Sequence, residues 1–297
     1  MLVARVNSDT HLKRIQAYIA RMPSLSTTVT KVLETCNNPN ASPNDLKRVI
    51  SLDPVLTGQV LKLINSAYYA LPHPIMSLTR AIIMLGLNTV KNLALSFAIL
   101  ETMGNKRSFK TFSMQAFWLH SLYVGVTAKL LSTIKGASLS EREDFFVAGL
   151  LHDLGKIPLN SQFPDEYFNV LDMVKRGQGT VRHCESAVFG MDHCTVGQMI
   201  ASKWQLGAFL IETLGCHHCP DESTRQTRSF VSIVAVANIF SDLLNTGVSG
   251  DTGGHGSMMT YLLEQTGLAW ETLYDLRETV SEEIEKAKIF LEISQKV

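Results

Sequence analysis

Helix-start devices recur along this 297-residue chain while strand signals are scarce, and that imbalance limits what it can fold into more than any other feature. Ser42-Pro43-Asn44-Asp45 offers an N-cap hydroxyl, a proline at the first helical position and an acid in the first turn. Asp53-Pro54 repeats the device ahead of Val60, Leu61, Ile64 and Ala67, whose spacing puts them on one helical face. Ser77 leads into residues 78–85 and Asn88 into 90–103, so the apolar run 81–100 reads as two buried helices broken near Leu87 and Asn88. Residues 11–21 and 26–36 read as shorter amphipathic helices. The chain is expected to be all-α, beginning with a bundle of about six short helices.

The polar, basic segment 104–110 separates two apolar helical runs and is the best boundary, dividing the chain into 1–106 and 107–297. Beyond it, helices are expected at 111–133, 141–152, 165–177, from 185 or 195 to 204, and at 207–217, 229–244, 258–267 and 270–294. Residues 247–256 read as a Gly/Ser/Asp loop. An N-terminal helical bundle should therefore pack on a C-terminal helical part. The 45% hydrophobic content supports a substantial core.

Composition also excludes some partners. Lys+Arg and Asp+Glu each total 27, so nothing global draws the chain to nucleic acid or an anionic membrane. A helix-turn-helix over 42–69 is disfavoured because Lys62 is the only basic residue between Asp53 and Tyr69. The first ten residues lack a signal peptide's apolar core. The 81–100 run carries Asn88, Lys91 and Asn92, which are costly inside a bilayer. Five cysteines, an odd number in a chain too large to need disulfides, read as reduced thiols, and the expected compartment is the cytoplasm.

The chemistry gathers on histidines. His120 stands in the apolar run Phe117-Trp118-Leu119-His120, and His152-Asp153 closes a second run that begins at Phe145. Burying an imidazole beside a carboxylate without partners costs several kcal/mol, so the pair calls for a ligand. Lys156 lies four residues beyond His152, on the same helical face. Asp192-His193 and His217-His218 follow, and Asn238 stands where a last ligand would complete the set. Each alone has an ordinary alternative: a satisfied core histidine for His120, a helix-end pair for His152-Asp153, an N-cap for Asp192, and a polar helix end for His217-His218. Cys184, Cys194, Cys216 and Cys219 could instead form a structural zinc site around Cys216-His217-His218-Cys219. His11 and His73 read as surface or turn residues, His183 and His255 as loop residues. Phe112, Phe117, Trp118 and Tyr123 read as a core helix face.

Taken in order, His120, His152-Asp153-Leu154-Gly155-Lys156, Asp192-His193 and His217-His218 resemble the HD superfamily of metal-dependent phosphohydrolases, closest to its HD-GYP branch and the related HDOD family. The stretches starting at Met22-Pro23-Ser24-Leu25, Asp53-Pro54-Val55-Leu56-Thr57 and Ile75-Met76-Ser77-Leu78, with Asn65-Ser66-Ala67, are similar to the HDOD signature. The resemblance covers residues 18 to 245. It implies an HDOD helical subdomain over 1–106 and an HD-like helical subdomain over 107–297. It also implies a bacterial, cytoplasmic signal-transduction protein with an unidentified signalling protein as partner. His120, His152, Asp153, His193, His217 and His218 match metal-ligand positions, and Lys156 matches a phosphate-side lysine. Asp153 and Lys156 would be the catalytic residues if activity survives. Three departures stand out: Asn238 replaces an aspartate and could ligate only weakly, no Gly-Tyr-Pro follows Lys156, and Ala116 replaces an acid. Such an imidazole-rich site suits Fe, Mn, Ni or Zn rather than Mg or Ca. No organic cofactor is expected. Two functions follow from the resemblance: an interaction or regulatory module keeping a partial metal site, or a metal-dependent phosphohydrolase acting on a nucleotide or cyclic dinucleotide.

Overall fold

A computed structural model describes residues 2–104, 111, 113–244 and 255–294. Among these, every regular element is helical. The first six are α1 (Leu2–Arg21), α2 (Thr27–Asn37), α3 (Pro43–Ile50), α4 (Pro54–Ile64), α5 (Leu78–Leu85) and α6 (Leu87–Gly104). Then come α7 (Met114–Ile134), α8 (Leu139–Leu151), α9 (Lys156–Gln162), α10 (Pro164–Lys175), α11 (Val181–Phe189) and α12 (His193–Lys203). The series ends with α13 (Ala208–Cys216), α14 (Arg228–Leu243), α15 (His255–Thr266), α16 (Trp270–Ala287) and α17 (Ile289–Ser294). A single 3-10 turn, Pro220–Glu222, precedes α14.

The helix starts follow from local chemistry. Ser42 and Asp45 form a reciprocal capping box at α3, Asp53 accepts from the Leu56 N–H at α4, and Ser77 caps α5. Each such cap is worth about 1 kcal/mol. The expected break in the apolar run falls at Gly86, whose φ of +88° suits a residue without Cβ, and α5 and α6 meet there at a bend of 116°. No single helix among the described residues is long and apolar enough to cross a membrane.

Some elements differ from expectation. The first helix runs from Leu2 rather than starting near His11. The expected 270–294 helix divides at Lys288. α9 was not anticipated, because Pro158 argues against a helix. It lies in the first turn, where its missing N–H would have had no intrahelical partner. The 104–110 boundary, apart from Gly104 at the end of α6, lies outside the described residues, as do 247–254 and Phe112. His255 and Gly256, the end of that expected loop, belong to α15 instead.

One apolar core runs through both halves of the chain. α7 packs along α8, and Gly125 meets Gly149 so closely that a Cβ on Gly149 would lie 2.7 Å from the Gly125 Cα. α14 covers α7, while α17 returns to pack on α4 and α6. Polar ties reinforce the join: Asn92 donates to Asp144 of α8 at 2.7 Å, and Lys129 of α7 donates to Glu143 at 2.6 Å and to the Tyr68 hydroxyl at 3.0 Å. Asn65 closes the loop after α4 by pairing with both backbone groups of Ile75, at 2.7 and 2.8 Å. The α7–α8 pair thereby becomes a stiff platform for the histidines.

Candidate metal centre

Six elements deliver side chains to one buried volume. α7 brings His120, the turn after α8 brings His152 and Asp153, and α9 opens with Lys156. His193 opens α12, His217 and His218 follow α13, and Asn238 comes from α14. All are buried except His218, which is half-buried.

Asp153 is the hub, and its two oxygens face different groups. Oδ2 lies 3.4 Å from His152 Nε2 and 3.8 Å from His120 Nε2, and accepts from Lys156 Nζ at 2.7 Å. Oδ1 lies 3.4 Å from His193 Nε2 and 3.7 Å from His217 Nε2. His218 Nε2 is 3.1 Å from His193 Nε2. Two ring nitrogens at that distance either share a proton or direct both lone pairs at a cation.

The opposite ring nitrogens explain the orientation of the imidazoles. His152 Nδ1 is 2.7 Å from the Gly149 carbonyl and His217 Nδ1 is 3.0 Å from the Thr213 carbonyl. His193 Nδ1 is 2.5 Å from Glu185 Oε2, and Glu185 is held by the Tyr167 hydroxyl at 2.9 Å. His120 Nδ1 faces the Ser241 hydroxyl at 3.4 Å and Asp242 at 3.8 Å. Protons on these Nδ1 atoms satisfy the outer partners and leave Nε2 as a lone pair, the arrangement found behind metal-ligating histidines.

A cation fits this donor set. The Nε2 atoms of His120, His152 and His217, Asp153 Oδ1 and Asn238 Oδ1 are all buried without a hydrogen-bond partner. In that tautomer all five are acceptors converging on one region, and burying each unsatisfied costs about 1–3 kcal/mol. His120, His152 and Asp153 place donor atoms within 4.8 Å of one another, and so do His193, Cys194, His217 and His218.

The electrostatics divide the set, with His120 held neutral and His193 and His217 drawn toward a protonated form whose Nε2 proton a cation would displace. Burial and the neighbouring His152 push His120 down to about 3, so it is a neutral base. Burial opposes ionisation of Asp153, but His152 and Lys156 outweigh it and hold the carboxyl well below its usual range. Burial also disfavours a charged His217, yet Cys194 and the bond to Asp153 raise it to about 9. His193 is raised well above the ordinary range, Glu185 overcoming burial.

The structure brings together every metal-site residue expected from the sequence, with a different setting for Lys156. Its ammonium is buried against Asp153 instead of standing free toward a phosphate. Four cysteines do not assemble as a zinc site: among the described residues, Cys194 alone joins a metal-capable group. His11 is half-buried and meets the edges of Phe163 and Phe189 at 4.7 and 5.4 Å, so it is not a surface residue. His183 lies within α11, exposed, rather than in a loop. Sequence reasoning missed Glu185 and Asp242, which reach the site only through a histidine, and it weighed Cys194 only as one of four cysteines of a structural zinc site.

Known proteins share this architecture. An HDOD domain protein of unknown function from Geobacter sulfurreducens is 25% identical, with a TM-score of 0.76 over 95% of this chain and 97% of that one. A candidate metal-dependent phosphohydrolase from Shewanella amazonensis SB2B has a TM-score of 0.64 at 18% identity, covering 99% of both chains. A candidate signal transduction protein from Marinobacter aquaeolei VT8 gives 0.68 at 19% identity, over 97% of this chain and 66% of that one. The last two establish the fold. An uncharacterized protein of Treponema pallidum (strain Nichols) is 24% identical over 247 residues, 80% of this chain and 47% of that relative, so the chain spans about half its length. The HDOD domain family model matches residues 22–220, two-thirds of the sequence, and the chain accordingly belongs to the HDOD domain family.

Proposed function

We propose that this protein is a signal-transduction module whose HD-like half keeps a metal centre, and that it works by presenting its helical surface to a protein partner rather than by turnover. The observation carrying the metal reading is the set of five buried acceptors without partners. His120, His152, Asp153, His193, His217 and His218 would hold the cation, with Asn238 as a neutral, weaker donor. The imidazole-rich set suits Fe, Mn, Ni or Zn. Two features favour regulation over catalysis: Asn238 brings no charge to the site, and Lys156 is committed to Asp153. The cytoplasm is the compartment consistent with its free thiols.

A second reading, a phosphohydrolase acting on a nucleotide or cyclic dinucleotide, is favoured by the intact His152-Asp153 pair at the centre of the site. A bound transition metal would supply Lewis acidity toward a phosphoryl oxygen. Asp153 would hold the reacting centre in place, and the Lys156 ammonium beside it would keep that carboxylate ionised.

Elemental analysis of protein purified without chelators or added metal tests the shared premise. Hydrolysis of a generic phosphodiester with added Mn or Fe then separates the two readings. Stoichiometric metal without turnover supports the module. Turnover that disappears in Asp153→Ala reverses the order, and metal-free protein that takes up none removes both.

A further inference from the structure

His217 stands between two sets of donors. Its Nε2 lies 3.7 Å from Asp153 Oδ1, while its Nδ1 lies 4.0 Å from the Sγ of Cys194. Cys194 is the second residue of α12, directly after His193, and only 2% of its surface is exposed. One donor atom from each of His193, Cys194, His217 and His218 falls within 4.8 Å of the other three. Buried cysteines ordinarily behave as small hydrophobes against apolar walls. This one is set among imidazoles.

We propose that Cys194 is a metal ligand, completing with His193, His217 and His218 a thiolate-bearing half of the centre that selects a zinc-class cation. The proposal rests on the metal-binding reading above and adds to it a ligand and a preference. Zinc–nitrogen distances of about 2.0–2.1 Å and zinc–sulfur distances of about 2.3 Å give tetrahedral edges of roughly 3.3–3.7 Å. The His193–His218 nitrogen pair, at 3.1 Å, is close to such an edge. Cys194 Sγ lies 4.0 Å from the His217 Nδ1 that faces the Thr213 carbonyl, so the sulfur sits against this ring while Nε2 stays the ligating nitrogen. All four donor atoms lie within 4.8 Å of one another.

Two further points favour sulfur. Cys194 sits in the first turn of an eleven-residue helix, where the positive end of the helix dipole favours a thiolate. A thiolate also brings the second half a negative charge that its three imidazoles lack. Thiolate donors shift preference toward zinc and away from manganese. On binding, the thiol proton goes to solvent, the sulfur lone pair forms the bond to the cation, and no electron changes hands. The other half, His120, His152 and Asp153, contains no sulfur. The two halves therefore differ in softness, with Asp153 facing both.

Cobalt(II) titration of the full chain tests this by absorption, without reference to activity. The expected result is a near-ultraviolet thiolate-to-cobalt charge-transfer band that is absent from Cys194→Ser and retained in Cys216→Ser and Cys219→Ser. Zinc affinity of Cys194→Ser, measured by chelator competition, should fall by at least about tenfold. If Cys194→Ser does not fold, X-ray absorption of the zinc-loaded wild type decides, with one sulfur scatterer at about 2.3 Å expected. Cobalt bound without a charge-transfer band, a band that survives in Cys194→Ser, or a zinc shell of nitrogen and oxygen alone overturns the thiolate assignment and leaves the metal reading standing. Failure to bind cobalt or zinc at all overturns both.

Discussion

Gly155 gives the sharpest test of how the site is assembled. Its φ of −65° is ordinary for any residue, so backbone conformation does not require glycine there. Space does. A Cβ at 155 would lie 1.9 Å from the His193 carbonyl oxygen and 2.6 Å from the Gly197 backbone N, both in α12. These are backbone atoms and cannot rotate aside. A carbon–oxygen contact needs about 3.3 Å, so Gly155→Ala must separate the 153–156 turn from α12 by about 1.4 Å. Overpacking on this scale costs about 1–3 kcal/mol or more. The same movement pulls His193 Nε2 away from Asp153 Oδ1, now 3.4 Å apart. Ligand positions in metal sites tolerate only about 0.2 Å in bond length. The variant should therefore lose stability in urea titration and bind zinc at least about 10–100-fold more weakly by chelator competition. Wild-type values for both would refute the claim that this glycine sets the distance between the His-Asp turn and α12.

The remaining predictions concern charge. Asn238→Asp adds a carboxylate beside His120 and should tighten divalent metal binding by roughly tenfold, read by isothermal titration; weaker binding would show that Asn238 does not face the cation. Metal affinity should rise from about pH 6 to about pH 8, because His193 is held protonated by Glu185 and His217 titrates near 9, so loading must displace protons; a flat profile in a pH-stat titration would contradict this. Lys129→Met leaves Glu143 buried without its cation and should cost about 3–5 kcal/mol, whereas Lys129→Met with Glu143→Leu should recover much of it; urea midpoints compare them. Asp192 is pulled below its normal range as burial is outweighed by the Thr195 N–H and by Arg182. Its stabilisation is therefore complete above the unfolded value of about 3.9 and lost as the pH falls through the lower folded value. Asp192→Asn should flatten the acid limb of stability below about pH 4, and an unchanged limb would remove Asp192 from that role.

What could be read in advance divides by range. Ser42, Asp53 and Ser77 act on amides three residues ahead, so their caps were legible in the sequence. The break at Gly86 was legible to within two residues for the same reason. The site histidines were conspicuous because imidazoles interrupt apolar helices, and their order carried the family resemblance. Glu185 was not legible. It lies on its own helix, eight residues before His193, and looks like any helical acid until folding brings its carboxylate to Nδ1. Asp242 was hidden similarly, one helical turn beyond the Asn238 that drew attention. His11 is the opposite case, since its aromatic partners Phe163 and Phe189 come from some 150 residues away and nothing local announces them.

The charges around the centre are unevenly shared. Asp153 is the carboxylate that faces both donor groups, and Lys156 already offsets part of its charge. Glu185 and Asp242 act through the far nitrogens of His193 and His120, steadying the rings without entering the inner set. With asparagine at 238, a divalent cation here keeps more of its positive charge than it would beside a second carboxylate. That excess favours an oxyanion in the ground state, so a phosphorylated ligand would be held firmly. Catalysis instead needs binding that strengthens only as the transition state forms. Under the module reading proposed above, a cation here would hold a phosphorylated ligand with Lys156 already committed to Asp153. The α7–α8 platform gives such an event a route outward, because the helices that bear His120 and lead into His152 also carry Lys129 and Glu143. Lys129 bridges Glu143 and the hydroxyl of Tyr68 from the N-terminal half, so the platform touches the part of the chain that carries the HDOD signature.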